Sequence, residues 1–200
     1  MSTHELFNEP SFQKCIEFHG HICPGVSIGF RAAKAGLDLI EENFSFDEEL
    51  VATVETDNCA VDAIQVLTGC TFGKGNFFYR DIGKNAFTFQ SRKSGKGFRI
   101  VMKNNAFNMN PRHAELAEKK KQKTATEEEL NEYQKLHLER SHNILKMKLD
   151  DLFEINKTER PIPPMAVMMP SEICTTCGEG VMPTKMIIND GKKYCIDYSG

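Results

Sequence analysis

Two histidines and a cysteine lie within five residues, at His19, His21 and Cys23, directly before an apolar helical pattern. A further cysteine, Cys59, stands where a second helix is expected to begin. Imidazole and thiolate are side chains that zinc and its neighbouring metals prefer as ligands. A thiol at a helix N-terminus also meets unpaired amide donors, which favour the thiolate. The N-terminal half therefore contains a candidate metal site or reactive-thiol site.

If the two helix starts face one cleft, these four side chains converge there, and Asp57 or Asp62 could orient an imidazole. The simpler alternative is structural, because free cysteines are often small buried apolar residues. That interpretation is favoured for Cys15 and Cys70. For His19, His21, Cys23 and Cys59, a functional role is favoured, because they cluster in glycine-containing loops at helix starts.

A second set of cysteines lies near the C-terminus, at Cys174, Cys177 and Cys195. The first two form a CxxC zinc knuckle, and the third follows a predicted hairpin. Structural zinc sites normally have four protein ligands, but the position expected to complete a second CxxC is Tyr198. Asp197, a histidine from elsewhere or a water could complete the shell. We therefore predict a zinc site in a module that has little core of its own.

The elements that must position the first set of residues form an α+β pattern over residues 11–110. Apolar periodicity and turn signals predict three helices and four strands. The helices are Phe12–Phe18, Val26–Asn43 and Cys59–Thr68, and the strands are Leu50–Thr56, Phe77–Tyr79, Ala86–Gln90 and Phe98–Met102. Asn58 is expected to cap the third helix, and Gly69 to end it.

Beyond Pro111 the composition changes. A charged stretch precedes Thr126–Glu129, which has the form of a capping box and predicts a helix that continues through Leu149. The prolines at 161, 163 and 164 predict an extended linker. The sequence thus divides into a core domain over residues 1–110, a helical arm and linker over 111–164, and a small zinc finger over 165–200.

Bulk properties exclude several classes of protein. The chain has 200 residues, a formal net charge of −3 and seven cysteines. The charge gives no reason to expect binding to a membrane or to nucleic acid, and no stretch approaches the roughly 20 apolar residues of a membrane span. Met1–Glu5 lacks a signal-peptide pattern, so we expect a cytoplasmic protein in which cysteines bind metal or react rather than form disulfides.

Several motifs, in order, resemble the FmdE family, which takes its name from a component of formylmethanofuran dehydrogenase. They are the segments 18–25, 55–65, 68–76 and 81–89, and the tail around 174–182 resembles the zinc finger that many members append. The resemblance implies an α+β core, a homodimer and a C-terminal finger of treble-clef type. It also implies that the family's site falls on His19, His21, Cys23 and Cys59.

The function implied is that of a metal-binding accessory protein or subunit in formylmethanofuran and methanogenesis-related one-carbon metabolism. Zinc is expected in the finger, and zinc or another divalent transition metal in the core. Subunits of the dehydrogenase are the expected partners. The alternative is a stand-alone enzyme that uses the core metal or Cys59 as a nucleophile or redox thiol. Nucleic-acid binding through the finger is the weakest hypothesis.

Overall fold

The computed structural model describes residues 6–104, 106–107 and 110–198. The chain divides into two compact units, residues 1–165 and 166–200. Met1–Glu5, on which the expectation about a signal peptide depends, lies outside the described residues. In the part of the chain that is described, no helix has both the length and the apolar character needed to cross a bilayer.

The first unit is a mixed helix and sheet domain, so the predicted α+β class is confirmed. Its helices are α1 (Pro10–His19), α2 (Pro24–Ile40), α3 (Ala60–Thr68), α4 (Pro111–Lys121), α5 (Glu127–Lys146) and α6 (Leu149–Leu152). Its strands are β1 (Leu50–Val54), β2 (Phe77–Tyr79), β3 (Ala86–Ser91), β4 (Gly97–Met102) and β5 (Phe153–Lys157).

The five strands form one sheet in the order β2-β1-β3-β4-β5. The β1–β2 pair is parallel, and the other neighbours are antiparallel. Alternate residues of each strand point to one face, where α2 and α3 cover an apolar core. That core includes the buried side chains Ala52, Val54, Phe87, Phe89 and Ile100. The helices α2 and α3, which carry or follow the candidate site residues, are therefore packed on one side of the sheet.

Most predicted elements of the core are present, with boundaries shifted by a few residues. A fifth strand that the sequence did not predict, β5, pairs with β4 over Phe98 to Met102. Residues 111–164, which the sequence placed in a separate arm and linker, lie within the first unit. In β5, Phe153 and Ile155 alternate with polar residues, which is typical of a half-buried strand. The pattern did not predict a strand because it is short and directly follows the predicted helix.

The long helix α5 begins as predicted and ends earlier. The Thr126 side chain accepts from the Glu129 amide, and the Glu129 carboxylate accepts from the Thr126 amide, so the capping box is confirmed. The helix ends at Lys146 rather than at Leu149. The Arg31 guanidinium of α2 donates to the carbonyls of Ile144, Leu145 and Met147, which fixes the end of α5 against α2.

The second unit consists of two small hairpins and two 3₁₀ turns. Strands β6 (Glu172–Ile173) and β7 (Gly180–Val181) flank the CxxC knuckle, and β8 (Met186–Asn189) pairs with β9 (Lys192–Cys195) as predicted. The 3₁₀ turns span Pro183–Lys185 and Ile196–Tyr198. This order of knuckle, hairpin and short terminal turn is consistent with the predicted finger.

Candidate functional site

The loop between α1 and α2 carries the first three candidate residues. Helix α1 ends at His19, and Gly20 follows in the left-handed region with φ of 87°, a conformation that glycine adopts without strain. The chain then passes His21 and reaches Cys23, the N-cap of α2, whose Sγ accepts weakly from the Val26 amide at 3.5 Å. Both ends of this short loop are therefore held by helices.

The three side chains converge as a possible metal centre. One ligand atom each from His19, His21 and Cys23 lies within 4.8 Å of the other two. His19 Nε2 is 3.8 Å from Cys23 Sγ, and the two imidazole ring centres are 4.5 Å apart. Cys23 is buried, His19 is half-buried and His21 is exposed. The set has the donor chemistry of a zinc site with three protein ligands and access from one side.

Asp62 of α3 orients one of the imidazoles. Its Oδ2 lies 2.7 Å from His19 Nδ1, which donates the hydrogen bond. With the proton on Nδ1, the lone pair of Nε2 faces Cys23 and is available to a metal ion. Asp57, the other candidate for this role, lines the neighbouring cavity. The sequence alone could not distinguish the two aspartates, because Asp57 directly precedes α3 and Asp62 lies in its first turn.

Cys59 lies beside the cluster as the N-cap of α3. Helices α2 and α3 approach so closely there that a Cβ on Gly25 would lie 2.8 Å from Cys59 Cβ, and one on Gly29 would lie 2.1 Å from the Ala60 carbonyl oxygen. The two predicted helix starts therefore meet. Cys59 is not part of the group whose ligand atoms all lie within 4.8 Å.

The position of Cys59 at the N-terminus of α3 favours a thiolate, but the surroundings of its side chain oppose one. Burial raises the pKa of the Cys59 thiol, and the neighbouring Cys23 raises it further. Desolvation and a second thiol thus outweigh the helix N-terminus. A cation between the two sulfurs would reverse this balance, because a coordinating thiol loses its proton.

A cavity of about 380 Å³ opens next to the cluster. Its polar wall contains His19, Cys59, Asp57 and Asp62. Its apolar wall contains Val54, Val61, Phe72, Phe77 and Tyr79. An ion held by His19 would therefore border a space large enough for a small organic molecule.

A second pair of histidines was missed by the sequence analysis. Nε2 of His113, in α4, lies 3.3 Å from Nδ1 of His137, in α5. The Tyr133 ring stacks on the His137 ring, with 5.1 Å between the ring centres. Burial, followed by nearby positive groups that include His21, lowers the pKa of His137 to about 4. Tyr133 and His137 are four residues apart and share a helix face, which was the available signal.

The other cysteines of the core lie in its interior. Cys15 and Cys70 are fully buried, and burial raises the pKa of their thiols to about 12 and about 11. The favoured interpretation of both residues as small apolar groups agrees with these positions. The glycine-containing turn that follows Cys70 is held by Asn76, whose side chain donates to the carbonyls of Asp47 and Leu50.

The second unit brings Cys174, Cys177 and Cys195 together, with their sulfurs within 4.8 Å of one another. The backbone amides of Cys177 and Cys195 lower the pKa of the Cys174 thiol to about 6, which favours the thiolate that zinc requires. Tyr198 is half exposed on the terminal 3₁₀ turn, and the described residues supply no fourth member of this group. This cysteine cluster fits a small zinc site.

Comparisons with known proteins agree with this architecture. The family model described as "FmdE, Molybdenum formylmethanofuran dehydrogenase operon" matches residues 18–154. A protein of Archaeoglobus fulgidus named "Probable S-adenosyl-L-methionine-binding protein" is 33% identical over 193 residues, which are 92% of this chain and 51% of that protein. The chain thus spans about half of that relative's length.

A solved structure has a similar fold. It is the crystal structure of an FmdE-like protein of the tungsten formylmethanofuran dehydrogenase type from Syntrophus aciditrophicus, with a TM-score of 0.62 and 22% sequence identity. The likeness covers 98% of this chain and 91% of that one. At this level of identity the comparison concerns the fold, and it extends over both units.

Proposed function

We propose that this chain, which belongs to the FmdE family, binds a transition-metal ion through His19, His21 and Cys23. The observation that carries the proposal is the convergence of two imidazoles and a thiol, together with the hydrogen bond from His19 to Asp62. A carboxylate that orients a ligand histidine is a recurrent feature of metal sites. Zinc is the first candidate, because it takes nitrogen and sulfur ligands in an open site with three protein donors.

Cys59 is the candidate for the remaining position of this site. Its place at the start of α3, close to the thiol of Cys23, supports either of two roles. As a fourth ligand it would close the shell, and the site would be structural. As a free thiol beside a three-ligand ion it would face a bound molecule as a nucleophile.

The finger is proposed to hold a separate zinc ion through Cys174, Cys177 and Cys195. The fourth ligand of this ion would be Asp197, a water or another group. This ion would stabilise a module that otherwise has little apolar core. The finger would then bind a partner or support a homodimer.

For the biological role, we propose an accessory or subunit function in one-carbon metabolism linked to formylmethanofuran and methanogenesis, in the cytoplasm. The family name supports this role, and the other subunits of the dehydrogenase are the corresponding partners. In this role the chain binds metal tightly and turns over no substrate alone.

The cavity beside His19 and Cys59 favours a second candidate function, a stand-alone enzyme. A metal ion there could polarise a carbonyl or activate water for a molecule of about the cavity's size. The name of the Archaeoglobus fulgidus relative suggests S-adenosyl-L-methionine as one ligand to test. The aspartates and aromatic rings of the cavity are compatible with a cationic sulfonium and a flat base.

Metal content per chain tests the proposal. We expect two ions in the wild type and one in each of two variants, Cys23→Ser and Cys177→Ala. Serine keeps an N-cap acceptor at position 23 while removing the thiolate, so α2 should remain folded. A wild type with one ion, all of it lost in Cys177→Ala, would show that the core binds no metal. Turnover assays with formyl compounds and binding assays with S-adenosyl-L-methionine then separate the two candidate functions.

A further inference from the structure

The sheet face opposite α2 and α3 is polar but buried. Strand pairing places Thr53, Thr88 and Arg99 in one row across β1, β3 and β4, and Glu55 and Gln90 lie on the same face. Thr53, Glu55, Thr88 and Gln90 are each less than one tenth exposed. A polar sheet face is normally left to water, so its burial here requires a cover.

The cover is a proline strap, which we define as residues 160–164. The Gln90 side-chain amide donates to the Arg160 carbonyl at 2.8 Å. The Arg92 guanidinium donates to the carbonyls of Pro163 and Pro164, at 2.6 and 3.2 Å. The strap is therefore fixed to the sheet at both ends rather than acting as a free linker.

Between the strap and the sheet lies a cavity of about 240 Å³, separate from the candidate metal centre. Thr53, Thr88 and Arg80 line it from the sheet side, and Arg160 lines it from the strap. The remaining walls include the flat side chains of Phe78 and Pro161. The cavity thus combines cationic and hydroxyl groups with apolar surfaces.

The residues that line the strap cavity include two guanidiniums, those of Arg80 and Arg160, and no carboxylate. Glu55 accepts a bidentate hydrogen bond from Arg99 at 2.9 and 2.7 Å and a further one from Arg160 at 3.0 Å. One carboxylate thus faces two guanidiniums. Arg80 is exposed and adds a third, and the ion pairs of the described residues include no carboxylate bound to it.

One buried polar group at this cavity has no partner. The Oγ1 atom of Thr88 is buried and makes no hydrogen bond within the described part of the chain. A buried hydroxyl without a partner costs free energy, so such groups are rare unless a water or a ligand completes them. Thr88 lines the cavity wall, where an incoming acceptor could supply that partner.

We propose that the strap cavity binds a small organic anion, with its carboxylate or phosphate group at Arg80, Arg160 and Thr88 and its flat apolar part between Phe78 and the strap prolines. Charge-assisted hydrogen bonds to guanidinium are the strong polar interactions of such sites. The flat walls add contact area that a bare inorganic ion cannot use. This site goes beyond the proposed metal-binding function and does not depend on it.

Calorimetric titration of the full chain with phenyl phosphate, benzoate and inorganic phosphate tests the proposal. We expect saturable binding of at least one aromatic anion, tighter than that of inorganic phosphate. Arg80→Gln should weaken it by roughly tenfold or more, because one charge-assisted hydrogen bond is lost. Lys93→Gln removes the same charge from an exposed residue outside the cavity and should leave the affinity unchanged.

Thr88→Val provides a second variant that is expected to fold. Without ligand its melting temperature should equal or exceed that of the wild type, because the methyl group replaces an unpartnered hydroxyl. With ligand it should show a smaller stabilisation than the wild type. Absence of saturable binding by both aromatic anions, equal affinities of Arg80→Gln and wild type, or inorganic phosphate binding as tightly as phenyl phosphate would each overturn the proposal.

Discussion

Asp62 should tune the metal affinity of the core site through His19. The 2.7 Å hydrogen bond from His19 Nδ1 to the carboxylate fixes the tautomer that presents Nε2 to the ion. Asp62→Ala removes both the acceptor and its charge, whereas Asp62→Asn keeps an acceptor of similar shape. The two variants therefore separate the geometric contribution from the electrostatic one.

The expected magnitudes follow from the kind of bond that is lost. A hydrogen bond to a charged group contributes about 1.5–3 kcal/mol, and one between neutral groups about 1 kcal/mol. The Asp62 side chain is 34% exposed, so water partly replaces it. We expect metal affinity to fall about tenfold in Asp62→Asn and about 30- to 100-fold in Asp62→Ala.

The assay is a competition titration against a chromophoric chelator at constant pH. The Cys177→Ala background removes the finger's ion from the measurement. Asp57→Asn is the matched control, because Asp57 lines the same cavity and carries the same charge. We expect it to change affinity by less than about threefold, since its effect is electrostatic and screened.

Two results would refute this reasoning. Equal losses in Asp62→Asn and Asp57→Asn would mean that only the net charge of the cavity matters. An unchanged affinity in Asp62→Ala would mean that His19 is not a ligand or needs no orientation. Melting curves of the metal-free variants identify any loss that comes from the fold instead.

Three further predictions test the framework of the first unit. Gly29→Ala places a methyl group against the Ala60 carbonyl and should destabilise the protein by about 1–3 kcal/mol in denaturant titration, whereas Gly73→Ala, whose methyl meets no atom within 4 Å, should not. The pKa of His137 is lowered to about 4, so the wild type should lose stability as pH falls from 6.5 towards 4, and His137→Phe should flatten that dependence in melting curves. The pKa of Glu55 is lowered to about 2, so its contribution to the free energy of unfolding is present above pH 4.5 and lost as pH falls towards 2. Glu55→Gln should lower the free energy of unfolding by about 2–3 kcal/mol at pH 7 and by progressively less in acid. A pH-independent difference between Glu55→Gln and wild type would contradict the last of these.

The sequence predicted the local features of the site because local rules determine them. As predicted, Cys23 stands directly ahead of α2. Asn58, the predicted cap of α3, precedes the observed N-cap Cys59, and its side chain accepts from the Ala60 amide. The capping box and the β3–β4 hairpin are likewise encoded within a few residues. These signals placed two cysteines at helix starts, and the packing of α2 on α3 brings those starts together.

Contacts between distant segments were not predictable in the same way. The pairing of β5 with β4 and the approach of His137 to His113 both require α4 and α5 to fold back on the core. The proline strap has the composition of a linker, and only its hydrogen bonds to the sheet distinguish it from one. The raised pKa of Cys59 depends on burial and on Cys23, which no local pattern encodes.

X-ray absorption at the metal edge of the Cys177→Ala protein tests the central claim most directly, because the finger is then vacated and the remaining ion reports on the core. We expect a shell with two imidazole nitrogens and at least one sulfur, with a second sulfur if Cys59 is the fourth ligand. A fall from two imidazole nitrogens to one in His19→Ala would support the assignment further. A protein without bound metal, or a shell of sulfur ligands alone, would contradict it.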